Sequence, residues 1–505
     1  MEMKKLNVGL FFVLIVSGLS ALALEARAAE QRNIIQIENE KPGTTEWILT
    51  KIKRGMKPPL YAPEDEPYDK GWRRRKEIEG YCSHTSIRAG ETLKVFVSTE
   101  PAAQYRADIY RMGYYGGKGA RLMITMGPLQ GIAQPTPEDG YKKVKECNWI
   151  EGFSLKIPAD WVSGVYLGKL STLDTGCEAY VIFIVRDDRK ADLMFQSSDM
   201  TWQSYNRWPN WRSLYDSDDQ PWGSSNRRPG YDVSFDRPYA LYWNGFPAGF
   251  EPLTNGSGEF LMIEHPLAFW LEKEGYDVTY ISNVDTHEDP NGLLRGKVFI
   301  SVGHDEYWTK QMYDNVMKAR DAGVNLAFLG GNAISGEVYL QTSTDGRPNR
   351  IMGRVGSLAH EEALMGSTSY GVGFADWSCG EPNHWAFEGT EMKKGDIVRQ
   401  LVGWEYHGPP LADYPSMEVL SSGPVYGWNG EARAEGRGTY ATTIYAAPKG
   451  NLVFNAATCW WNMVLSSPPG FMNPPRRSFY EDDPRIQRIT KNVLNRMLEK
   501  SNIDR

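Results

Sequence analysis

Histidine and cysteine are scarce in this chain, with seven His and five Cys among 505 residues. So few imidazoles limit any histidine-based metal site and leave cation binding mainly to oxygen donors. The cysteines, at 82, 147, 177, 379 and 459, form no C-x-x-C pair, which removes zinc-ribbon and thioredoxin-type readings. Positive charge is not in excess either. Lys and Arg total 56 against 63 Asp and Glu, and the cations are scattered, so the electrostatic footprint of a nucleic-acid binder is missing. The G-x-S-x-G elbow of serine hydrolases does not occur. Gly116-Gly117-Lys118-Gly119 lacks the hydroxyl residue and the spacing of a phosphate loop, and is expected as a tight loop between strands. Beyond Leu24 no apolar run is long enough to span a bilayer.

The N-terminus carries the pattern of an export signal. Lys4 and Lys5 precede an almost unbroken apolar stretch from Leu6 to Leu24, and Ala26-Arg27-Ala28 offers the small-x-small cleavage pattern. Residues 1–29 are therefore expected to be removed, and the mature protein to be secreted or periplasmic, with no membrane span after cleavage. An uncleaved anchor is the alternative. An oxidising compartment permits one or two disulfides. The first candidate pair is Cys147 with Cys177, since both fall at the edges of predicted neighbouring strands.

Residues 30–190 read as β structure. Leu93–Thr99, Ala107–Arg111, Ser154–Ile157, Gly164–Leu170 and Ala179–Arg186 are short strand-like runs separated by Gly and Pro signals, the pattern of a β-sandwich. From residue 191 the periodicity changes. Apolar runs at Leu193–Gln196, Val278–Ser282, Lys297–Gly303, Val324–Leu329 and Leu452–Asn455 alternate with helical patterns at Phe260–Glu274, Thr309–Ala322 and from Pro484 onward. Strand–helix alternation with near-continuous apolar strands predicts a mostly parallel sheet covered by helices. The expected class is thus α+β multidomain: an N-terminal β-sandwich at 30–190 and an α/β domain at 191–505. Two long irregular insertions, Tyr205–Tyr239 and Gly336–Gly450, interrupt the second part, and such insertions are more often functional than idle.

In open parallel sheets ligands bind beyond the carboxyl ends of the strands. There the sequence places Ser197, Ser198, Asp199, Trp202 and Tyr205; Asn283 and Asp285; His304-Asp305-Glu306-Tyr307-Trp308; Gly330-Gly331-Asn332; and Thr458, Cys459 and Trp460. His304-Asp305-Glu306 is the densest ionisable group. It reads as a metal ligand with a supporting partner, or as a base with its orienting group. The structural alternative is that Asp305 caps the next helix and its neighbours are solvated. Cys459 reads as a packed core thiol. Tyrosine and carboxylate oxygens are hard donors that suit a ferric or similar ion, which would polarise a carbonyl and acidify a water.

Four blocks in this region resemble the large (beta) subunit of N,N-dimethylformamidase. They are Thr201-Trp202-Gln203-Ser204-Tyr205-Asn206, Ser234-Phe235-Asp236-Arg237-Pro238-Tyr239, Gly303-His304-Asp305-Glu306-Tyr307-Trp308 and Gly330-Gly331-Asn332. Upstream, Ile109–Gly117 and Ser163-Gly164-Val165-Tyr166 are similar to that family's N-terminal β module. The resemblance implies a mononuclear ferric ion held by Tyr205, Tyr239 and Glu306. It also implies His304 beside the iron as a proton-handling residue, Asn332 orienting the substrate or its oxyanion, and Glu405 as a further catalytic carboxylate. The implied activity is hydrolysis of a small amide or related carbonyl compound, by a protein that pairs with a small subunit or forms homo-oligomers. The rival from another class is a glycan-binding or envelope-associated protein with a degenerate site, motivated by the Trp-rich loop Trp202–Trp222 and the β module.

Overall fold

The structure is a computed structural model, and the residues it describes are 32–52, 74, 76–218, 230–240, 254–358, 360–427, 438–470 and 481–501. The export segment expected at 1–29 and its cleavage site lie outside the described residues. No helix among the described residues is long and apolar enough to cross a membrane.

The protein is mixed α+β and rich in strands. A five-stranded sheet has the order Ser86–Arg88, Glu178–Arg186, Gly164–Thr172, Gln104–Met112, Ala120–Gln130, and a three-stranded sheet the order Glu79–Cys82, Thr92–Ser98, Glu151–Lys156. Alternate residues of both sheets, among them Val95, Ile109, Leu155, Val181 and Phe183, share one buried cluster. The opposite face of the larger sheet presents Tyr110, Met112, Leu167, Tyr180 and Ile182 to a second cluster containing Leu193, Phe260 and Leu267. One sheet thus feeds two cores, which is why its strands read as nearly continuous apolar runs. The Gly116–Gly119 loop joins Gln104–Met112 to Ala120–Gln130, as expected.

A seven-stranded sheet organises the rest, in the order Val278–Ser282, Ala191–Ser197, Gly296–Gly303, Asn325–Gly330, Leu452–Asn455, Thr439–Ala446, Glu418–Pro424. The first five are mutually parallel, and Thr439–Ala446 is antiparallel to both its neighbours, Leu452–Asn455 and Glu418–Pro424. Val298, Phe299, Ile300 and Val302 are all buried, so Gly296–Gly303 is covered on both faces. Helix Lys310–Ala322 starts where the Thr309 side chain accepts the Met312 N–H and stops at Gly323, φ 112°. Helix Pro484–Glu499 opens on an Asp483 cap with proline in its first turn, and its Ile486, Ile489, Val493 and Met497 are buried.

From Ala191–Ser197 the chain steps outward to Val278–Ser282, then returns to the other side as Gly296–Gly303. That reversal is a topological switch point, the place where ligands bind in open parallel sheets, and His304-Asp305-Glu306 begins there, beyond the carboxyl end of Gly296–Gly303.

Several elements differ from expectation. Phe260–Glu274 is one helical pattern in the sequence but two pieces in space, a π-helical turn at Phe260–Glu264 and an α-helix at His265–Lys273. The insertion Gly336–Gly450 holds short strands of its own; Gly336–Gln341 pairs parallel with Tyr307–Trp308, and the other pairings are antiparallel. A six-residue helix, Ile34–Asn39, precedes the β sheets. The expected Cys147–Cys177 disulfide is corrected: all five cysteines are buried and no disulfide joins them. Cys177 packs in the inter-sheet core, whereas Cys147 lies with Tyr81, Trp149 and Trp208 in a separate cluster.

Candidate functional site

Gly303 ends its strand at φ 65°, and a Cβ there would lie 2.4 Å from Ile263 Cγ2. Glycine therefore lets the chain turn sharply enough to send His304 inward. Asp305 anchors the turn. Its carboxylate accepts from Gln196 Nε2 at 2.7 Å, Ser301 Oγ at 2.8 Å and Asn283 Nδ2 at 2.9 Å. It does not cap the following helix, whose cap is Thr309. Its neighbours are not solvated either: His304 is 1% exposed and Glu306 6%.

Around Glu306 the donors converge. Tyr205, at the end of helix Asp199–Tyr205, donates from its hydroxyl to Glu306 Oε2 at 2.6 Å. Tyr215 reaches the same carboxylate, with its hydroxyl 3.1 Å from Oε1, 3.3 Å from Oε2 and 2.7 Å from the Tyr205 hydroxyl. Tyr307 stands behind, donating to the Tyr215 hydroxyl at 2.5 Å. The Arg354 guanidinium, from the insertion, lies over the Tyr215 and Tyr307 rings at 5.2 and 5.7 Å.

On the other side, His304 Nε2 is 3.2 Å from Glu306 Oε2 and 2.8 Å from Glu405 Oε2, while Nδ1 faces Glu259 Oε2 at 3.3 Å. The ligand atoms of His304, Glu306 and Glu405 all lie within 4.8 Å of one another. Glu405 arrives on the short strand Glu405–His407 of the insertion, and the Asn332 side chain lies near enough to its carboxylate to favour the ionised form. The Trp404 ring closes the group edge-on to the imidazole, 4.6 Å between centroids.

The electrostatics follow from burial and these contacts. Burial disfavours a charged imidazole, but the Glu405 and Glu259 carboxylates outweigh it and hold the His304 pKa well above its ordinary value. Burial raises Glu405, and the like charge of Glu306 adds to this against the pull of His304. Glu306 goes the other way: burial opposes ionisation, yet the charge of His304 beside it and the bond from Tyr205 leave its pKa lowered. Burial and the Glu306 charge raise both Tyr205 and Tyr215 well above ordinary phenols. In this state both phenols are neutral donors, and a multivalent cation would be needed to hold them as phenolates.

The donor set suits such a cation. Two phenols and a carboxylate are hard oxygen ligands. His304 Nε2 and Glu405 Oε2 are buried without a hydrogen bond, being close but out of line, and orphaned polar atoms of this kind mark a place where an ion or substrate belongs.

The structure brings Tyr205, His304, Glu306, Asn332 and Glu405 together, but it does not bring Tyr239 to them. The interactions of Tyr239 run to Gln203, Trp202, Asp199, Arg237 and Arg350. The second phenol at Glu306 is Tyr215, ten residues beyond Tyr205 in the irregular insertion. Sequence reasoning also passed over Glu259, Tyr307, Arg354 and Trp404. Tyr307 stood in the quoted His304–Trp308 block; the others carried no local pattern.

The family model described as "N,N-dimethylformamidase beta subunit-like, C-terminal" matches residues 106–475. The chain belongs to this family. The match takes in every residue of the cluster, from Tyr205 to Glu405, together with strands of the N-terminal sheets. No curated protein matches the chain. A 1.4 Å crystal structure of an uncharacterized protein from Bacillus anthracis str. Ames is 15% identical, covering 22% of this chain and 80% of its own. Its TM-score is 0.14, so it carries no argument.

Proposed function

We propose that the protein is an exported metal-dependent hydrolase of small amides or related carbonyl compounds. The observation that carries this reading is the Glu306 carboxylate, met by the Tyr205 and Tyr215 hydroxyls on one side and by His304 on the other. The family's description supports the amidase class. We further read residues 30–190 as a β-sandwich module, 191–505 as the α/β domain, and residues 1–29 as the cleaved signal. A small subunit or a homo-oligomeric arrangement is part of the same proposal, motivated by the words "beta subunit" in the family's description.

Tyr205, Tyr215 and Glu306 would hold the ion, and a ferric or similarly hard cation supplies Lewis acidity toward a carbonyl oxygen and toward water when bound. The chain's own residues do the rest. His304 holds a proton at Nε2, facing Glu405 Oε2, and its Nδ1–H is kept in place by Glu259. Glu405, raised by burial, takes up the proton lost by the attacking water, and the His304–Glu405 pair returns one to the departing amine nitrogen. Asn332 orients Glu405 and offers its amide to the substrate oxygen. The Trp404 ring and the stacked Tyr205–Tyr215 rings, 4.7 Å apart, exclude bulk water.

The glycan-binding alternative draws less support from its own residues. Trp202 is 2% exposed and Trp208 0%, so both are core side chains rather than sugar-facing surfaces; Trp222 lies outside the described residues. The test is metal analysis of freshly purified protein together with amine release from a panel of small N-alkyl amides. The expected result is stoichiometric iron or another hard metal and turnover of at least one amide. Protein with no bound metal and no turnover would return the alternative.

A further inference from the structure

His407 is fully buried, two residues beyond Glu405 on the same short strand. Both ring nitrogens are engaged, and their partners determine which one carries the proton. The Ala333 backbone N–H donates to Nε2 at 3.0 Å, so Nε2 must present a lone pair. At the other nitrogen, Nδ1 meets Asn455 Oδ1 at 2.7 Å. That atom is the amide oxygen, because the Ala457 N–H donates to it at 3.0 Å while Asn455 Nδ2 donates to Ser367 Oγ at 3.0 Å. Nδ1 therefore carries the hydrogen, and the ring is one neutral tautomer.

The peptide held by Nε2 is the one between Asn332 and Ala333, in a turn of unusual shape. Asn332 has φ 55° and Ile334 φ 66°, left-handed conformations that persist in non-glycine residues only when surroundings impose them. The turn is pinned by Gly331 N–H to Gly303 O at 3.1 Å and Ile334 N–H to Asp305 O at 3.1 Å. It is also pressed against the Glu405 backbone: a Cβ on Gly331 would lie 2.3 Å from Glu405 O. The His407 bond fixes the rotation of the peptide that follows Asn332, and with it the direction in which the Asn332 side chain leaves the backbone toward Glu405.

We propose that His407, held as the neutral Nδ1–H tautomer, is a positioning residue that sets the Asn332 side chain against the Glu405 carboxylate. The catalytic consequence rests on the amidase reading above; the geometry does not.

Two near-isosteres separate the two bonds. In His407→Gln the side-chain amide oxygen can occupy the Nε2 position and accept from Ala333 N–H, while the Asn455 bond is lost. In His407→Asn the amide nitrogen can occupy the Nδ1 position and serve Asn455, while Ala333 N–H is left without its acceptor. The first readout needs no activity: the side-chain amide resonances of Asn332 in protein labelled at asparagine with 15N. They are expected to stay near the wild-type position in His407→Gln and to shift or broaden in His407→Asn. The second readout is kinetic. His407→Asn should lower kcat about 100-fold, the scale of a small misplacement of a reacting group, with KM and metal content little changed, and His407→Gln should recover most of the loss. Equal behaviour of the two variants in the resonance, or loss confined to His407→Gln, would overturn the proposal. Wild-type protein that hydrolyses no amide, with the resonances behaving as expected, would sink the amidase reading and leave the positioning role standing.

Discussion

His304 Nε2 and Glu405 Oε2 face each other at 2.8 Å in the interior, one from the end of a central parallel strand and the other from a strand of the long insertion. The Glu405 carboxylate, together with that of Glu259, holds the His304 pKa up against burial, and His304 sets a cationic group beside Glu405. Glu405→Gln keeps the shape but removes the charge. Metal content is expected to hold while kcat falls about 100-fold or more, the usual contribution of a proton-transfer group. Steady-state kinetics beside metal analysis checks this, and full turnover in the variant would take Glu405 out of the mechanism.

The phenols can be sorted by removing one hydroxyl at a time. Tyr205→Phe and Tyr215→Phe should each weaken metal binding about tenfold or more and bleach any phenolate charge-transfer band. Tyr239→Phe should leave both intact, since its hydroxyl serves Gln203. Metal titrations followed by visible absorption decide the matter. The opposite pattern, with Tyr239 required and Tyr215 dispensable, would restore the ligand set implied by the family resemblance.

Arg111 and Glu272 form a bidentate pair, 2.9 and 3.1 Å, with neither side chain exposed. It ties strand Gln104–Met112 of the N-terminal sheet to helix His265–Lys273. Arg111→Met leaves a buried carboxylate unpaired and should cost about 3–5 kcal/mol in urea unfolding, whereas Arg111→Met with Glu272→Leu should recover part of that loss. A single variant as stable as the wild type would show the pair to be energetically idle.

Burial pushes the His265 pKa down from 6.5 to about 3. Above pH 6.5 the ring is neutral in both folded and unfolded chains and contributes nothing. Below it the unfolded ring takes up a proton that the folded ring refuses, so stability falls as pH drops, by about 1.4 kcal/mol per unit from this residue. His265→Phe should flatten the pH dependence of unfolding between pH 6 and 4 by about one proton. Identical slopes for variant and wild type would contradict the buried neutral ring.

All five cysteines are buried and none is in a disulfide. Native protein should react slowly with a thiol reagent and release five equivalents once unfolded, and reductant should leave the melting temperature unchanged. Three or fewer equivalents from denatured protein would mean that a disulfide forms after all.

What the sequence determined by itself is what short-range pattern can encode. The apolar runs at Val278–Ser282 and Leu452–Asn455 are strands with the boundaries their composition predicts, because burial on both faces demands an unbroken apolar stretch. The segment after Gly303 was legible for a similar reason: three ionisable residues between a buried strand and a helix start have few places to go. Tertiary structure alone decided which groups meet there. Tyr215 rather than Tyr239 reaches Glu306, and Glu405 crosses from an insertion 99 residues further along the chain, as the numbering records. Arg354, Glu259 and His407 take their places by the same long-range packing. The cysteine pairing failed on the same ground. Secondary structure depends on neighbours a few residues away, whereas a cluster of side chains depends on how distant segments stack, and no local period records that.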